Sequence, residues 1–119
     1  MKILIASHND DVTSMYVDIA SGNGHTTILP KSRNYQEVVD LLSSNPDRVL
    51  MDVNYGKPGT EDATPILEVV NAMRTKGYDI TSKLLGVTGR DDFAENLTKT
   101  QQIPAAAKTD ITRLFAFLA

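Results

Sequence analysis

The chain has no cysteine. That removes a disulfide framework and any thiolate metal site, and it fits a reducing cytosol. It also has no block of lysines and arginines, and its net charge is -3. Nucleic acid is therefore not expected as a direct partner. Long apolar runs are missing too. The N-terminal stretch Met1 to Ala6 is too short for a signal peptide or a membrane span, so a cytoplasmic protein with no membrane partner is expected. Internal repeats, low-complexity tracts and linkers are absent. What remains is 119 residues, 41% hydrophobic and 23% charged, which is the composition of an ordinary soluble globular protein with one core. A single domain over residues 1–119 is expected.

The apolar residues alternate between two patterns. Short continuous runs at residues 2–6, 26–29, 48–52 and 83–88 suit strands buried on both faces, and residues 103–107 form a weaker fifth, confined by Pro104 to a sheet edge or a strand start. Between them lie helical spacings. Val12, Met15, Tyr16 and Ile19 follow the capping candidates Asn9, Asp10 and Asp11. Tyr35, Val38, Val39 and Leu42 follow Asn34, with Glu37 placed as in a capping box. Ile66, Leu67, Val70 and Met73 precede Lys76-Gly77; Phe93 and Leu97 follow Asp91 and Asp92; Ile111, Leu114, Phe115 and Leu118 close the chain. Five strands alternating with five helices predict an α/β fold. Right-handed crossovers then give a doubly wound five-stranded parallel sheet of order 2-1-3-4-5, flavodoxin-like, with its site at the carboxyl ends of the strands.

Those ends carry chemistry. Strand one runs into Ser7, His8, Asn9, Asp10 and Asp11; strand three ends at Asp52, strand four at Thr88, and strand five at Lys108. A carboxylate, a hydroxyl and an ammonium at one edge suit phosphoryl transfer, which needs positioning and charge neutralisation more than covalent machinery. Taken singly, Asp52 is a turn cap, Thr88 a β-branched strand residue and Lys108 a solvated surface cation.

Over its whole length the chain resembles a response-regulator receiver domain. The resemblance implies a phosphoacceptor at Asp52, written by a sensor histidine kinase or phosphotransfer protein in a phosphorelay and read by a downstream protein target. Thr88 and Lys108 would be the residues that respond to the phosphoryl group. It also implies a Mg²⁺ site formed by Asp52, the backbone carbonyl of Asn54 and acids after strand one, for which this chain offers Asp10 and Asp11. On this reading the chain is a stand-alone two-component response regulator, a phosphoprotein and not an enzyme.

The chain departs from the family at several points. In gapless alignment the acidic pair falls on Ser7 and His8, with Asp10 and Asp11 two to three positions later. Capping of the first helix is the other role open to those two acids. Ala105 stands where the family commonly places an aromatic, and Thr109 where a proline usually follows the lysine. The segment Tyr55 to Thr64 holds an insertion. These departures support a second reading, a pseudo-receiver acting as a phosphorylation-independent protein-interaction module. A flavin carrier on the same scaffold lacks its Ser/Thr/Gly-rich phosphate cradle after strand one.

Overall fold

The computed structural model describes residues 1–119. Its elements run β1 (Lys2–Ala6), α1 (Asp10–Gly22), β2 (Thr26–Ile28), α2 (Tyr35–Leu41), β3 (Arg48–Asp52), α3 (Thr64–Thr75), α4 (Ile80–Lys83), β4 (Leu84–Thr88), α5 (Asp91–Gln101), β5 (Ala105–Ala107) and α6 (Ile111–Leu118). The five strands form one parallel sheet of order β2-β1-β3-β4-β5. The predicted strand order and parallel pairing are therefore the observed ones.

Side-chain alternation along each strand supplies two cores. Leu4, Ala6, Val49, Met51 and Leu84 face the layer that carries α2, α3 and α5. Ile3, Ile5, Leu50, Leu85 and Val87 face α1 and α6. These are the continuous apolar runs of the sequence, and they are continuous because both faces of the sheet are covered. Gly86 lets α3 approach closely, since a Cβ there would come within 2.5 Å of the Ile66 side chain.

At the start of β4 and of α2, polar contacts account for the difference from expectation. Lys83 does not begin β4. It ends the extra one-turn helix α4, in which Lys83 N–H donates to the Asp79 carbonyl and the Ser82 hydroxyl to the Asp79 carboxylate. Six helices thus flank the sheet instead of five. Asn34 caps α2 through Gln36 N–H, but Glu37 does not close a box on Asn34; it accepts from the backbone of Lys31 and Ser32 and so fixes the preceding turn. Leu29 lies outside β2 and is exposed, and Phe115 and Met15 point to solvent although their spacing matches the buried faces of their helices.

Candidate functional site

The parallel register brings the carboxyl ends of β1, β3, β4 and β5 to one edge. Asp52 pairs with Val87, one residue before Thr88, and Thr88 pairs with Ala107, one residue before Lys108. Lys108 N–H donates to the Thr88 carbonyl at 2.8 Å, which locks the last two strand ends together. Thr88, Lys108, Asn54, His8 and Asn9 line one cleft of about 590 Å³, whose outer wall is the 58–61 stretch of the inserted loop. Thr88 and Lys108 thus share one cleft at this edge of the sheet.

Asp52 is at the same edge but beneath it. Only 2% of the residue is exposed, and the group that covers it is His8. The His8 main-chain N–H donates to Asp52 Oδ2 at 2.8 Å, and His8 Nδ1 stands 3.2 Å from the same oxygen. On the far side of the ring, Nε2 accepts the Gly56 N–H at 2.7 Å. An imidazole nitrogen that accepts carries no proton, so the network assigns the neutral tautomer with its hydrogen on Nδ1, turned toward the carboxylate. Burial holds the His8 pKa below its ordinary value; the charge of Asp52 opposes this, and those of Lys108 and Arg33 reinforce it. The ring stacks on Tyr55 with centroids 5.3 Å apart and planes 14° apart. Tyr55 is fully buried, and its hydroxyl donates to the Ser32 carbonyl at 2.7 Å.

Gly56 is required where it sits. Its φ is +87°, and a Cβ would lie 2.3 Å from the Arg33 carbonyl oxygen. Only glycine lets the chain pass there and present its N–H to His8. Beyond it the inserted loop is held by its own polar groups. The Asn54 side chain donates to the carbonyls of Lys57 and Thr60, Lys57 pairs with Asp62 at 2.8 Å, and Glu61 pairs with Arg90 across the cleft.

Asp10 and Asp11 do not join Asp52. They form the first turn of α1, beneath the Asn9 cap that accepts from Asp11 and Val12 N–H. Asp10 is held by Arg33, with Nη2 2.6 Å from Oδ1, while the same guanidinium donates to the Ser7 carbonyl. Helix capping and an arginine from 23 residues away decide where these acids point. The Asn54 carbonyl is likewise engaged, accepting Lys57 N–H at 2.8 Å. No group of three His, Cys, Asp or Glu side chains is placed to hold a metal ion. Mg²⁺ prefers a near-octahedral shell of oxygens and is held through carboxylates. Around Asp52 there is one carboxylate, its own, and a covering imidazole. The donor set does not fit Mg²⁺ held in the way the resemblance implies.

No protein-family model matches the chain, and no characterised protein matches it significantly by sequence. Solved structures do. The BeF₃-activated N-terminal receiver domain of RstA from Klebsiella pneumoniae superposes with a TM-score of 0.70 at 17% identity, over 99% of this chain and 98% of that one. The chain has the receiver-domain fold. A putative response regulator from Chloroflexus aurantiacus gives a TM-score of 0.63 at 19% identity, covering 98% and 96% of the two chains. A de novo designed Rossmann 2x3 protein gives 0.65 at 18%, covering 97% and 83%. A designed protein among the neighbours of a receiver fold underlines that chemistry has to be argued from the site.

His8, Arg33, Tyr55 and Gly56 are the residues that sequence reasoning did not assemble. A signal existed for Gly56, in the turn-rich segment after β3. None existed for Arg33, which lies in an unremarkable loop before α2.

Proposed function

We propose that this chain is a pseudo-receiver: a receiver-fold signalling module that docks protein partners without a metal-dependent aspartyl-phosphate switch. The observation that carries the reading is the placement of His8 between Asp52 and the cleft. A phosphoacceptor has to present a free carboxylate oxygen to the donor in line with the leaving group. Here Oδ2 is engaged by the His8 N–H and faced by its imidazole, which leaves only Oδ1 without a partner, on a residue that is 2% exposed. The missing second carboxylate and the small Ala105 point the same way. In this role Asp52 is structural: it ties the β1–α1 turn to β3, and through His8 it ties β3 to the inserted loop. The partners are proteins of a two-component pathway, a histidine kinase or phosphotransfer protein on one side and a downstream target on the other. The module itself catalyses no reaction.

The phosphorylatable reading keeps one observation in its favour, the shared cleft of Thr88 and Lys108. Intact mass after incubation with Mg²⁺ and acetyl phosphate separates the two. The pseudo-receiver reading expects an unchanged mass and no Mg²⁺-dependent binding of beryllofluoride. One acid-labile phosphoryl group, abolished by Asp52→Asn, would overturn it.

A further inference from the structure

At the amino edge of the sheet, opposite the cleft already described, a second cavity of about 300 Å³ opens between α4, the start of β4 and α6. Two arginines line it: Arg48 from the first position of β3 and Arg113 from α6. No carboxylate lines it, and neither arginine takes part in any ion pair of the protein, although Arg33 and Arg90 both do. In a chain of net charge -3, Arg48 and Arg113 give this cavity a local excess of positive charge, although Arg113 also borders a neighbouring cleft lined by Asp91, Glu95 and Asp110.

Each guanidinium is held in place by one carbonyl and has donors left over. Arg48 Nη1 donates to the Phe117 carbonyl at 2.7 Å and its Cζ lies 5.6 Å from the centre of the Phe117 ring; its Nε is buried without an acceptor, and Nη2 is the donor left over. Arg113 Nη1 donates to the Ala105 carbonyl at 2.8 Å. Anchored in this way, the forks lose little further freedom on meeting an oxyanion, whose geometry they match. Thr81 adds a hydroxyl that donates to no protein group, whereas the Ser82 proton is already given to Asp79. The accessible apolar wall comes from Phe117 and Ala116, with Leu84 and Leu85 buried behind it. Cavities of this size with an apolar wall and a few convergent polar groups are typical of small-ligand sites.

We infer that this cavity binds a small organic oxyanion, its charged head between Arg48 and Arg113 and its compact apolar body against Phe117. The site is independent of Asp52 and of any phosphoryl switch. It would let a metabolite report on, or be reported by, the packing of α6 against the end of β3.

The test is a titration followed by NMR of the arginine Nε–Hε signals, with inorganic phosphate, phenyl phosphate and benzoate as separate probes. The expected result is saturable movement of the Arg48 and Arg113 signals. Phenyl phosphate or benzoate should bind several-fold more tightly than inorganic phosphate, and which of the two binds better identifies the head group. Arg113→Gln keeps the Arg48 clamp on α6 and should weaken binding at least tenfold. Lys108→Gln, at the opposite edge, should leave it unchanged. Movement that fails to saturate, that survives Arg113→Gln, or that disappears with Lys108→Gln would overturn the assignment. A backbone spectrum of Arg113→Gln matching that of the parent excludes unfolding as the cause of lost binding.

Discussion

Replacing His8 by alanine removes three contacts at once, and each has a magnitude. The Nδ1 contact with a buried carboxylate, at 3.2 Å, belongs at the lower end of charge-assisted hydrogen bonds, about 1.5 kcal/mol. The Gly56 N–H loses its acceptor, about 1 kcal/mol. The stack on Tyr55 adds about 0.5 kcal/mol or slightly more. The main-chain N–H to Asp52 survives, because alanine keeps it. The ceiling is therefore about 3 kcal/mol. Water entering from the adjoining cleft will rehydrate the carboxylate and recover part of this, so about 2 kcal/mol is the expected loss. Urea unfolding should show a lower midpoint with an unchanged slope, and thermal unfolding a melting temperature lower by roughly 8 °C. His8→Asn retains a donor toward Asp52 but loses the Gly56 and Tyr55 contacts, and should recover about half. A His8→Ala protein within about 0.5 kcal/mol of the parent would mean that the imidazole does not bridge Asp52 and the loop. The reasoning behind a covered carboxylate would then fail.

The same histidine makes stability depend on pH. Its folded-state pKa is lowered, so the unfolded chain binds more protons between that value and about 6.5. Stability should be complete above about pH 6.5 and fall as the pH drops through the folded pKa, and His8→Asn should flatten that slope in denaturation curves at fixed urea. Nitrogen-15 NMR should report the Nδ1–H tautomer at neutral pH. Gly56→Ala should cost about 2–4 kcal/mol in chemical denaturation, because the new Cβ meets the Arg33 carbonyl as well as a positive φ. Gly59→Ala, at φ +77° with open space around it, should cost only about 1 kcal/mol; equal costs would show that the close approach at Gly56 is not the constraint. Breaking the exposed pair across the cleft with Glu61→Gln should change stability by less than about 1 kcal/mol, with the remaining difference removed by salt.

What the sequence determined is what lies along one segment at a time. Continuous apolar runs set the strands, because only a sheet covered on both faces buries them. Period-3.6 spacing set the five long helices. Strict alternation then fixed the parallel order, and with it the edge at which Asp52, Thr88 and Lys108 had to emerge. Tertiary structure decided which side chains meet across that edge. Asp10 is drawn to Arg33 and not to Asp52, and His8 closes over Asp52 from 44 positions away in the chain. Partnerships of this kind depend on rotamers and loop paths that no local pattern encodes. That is why the carboxylate's place was legible in the sequence and its covering by an imidazole was not.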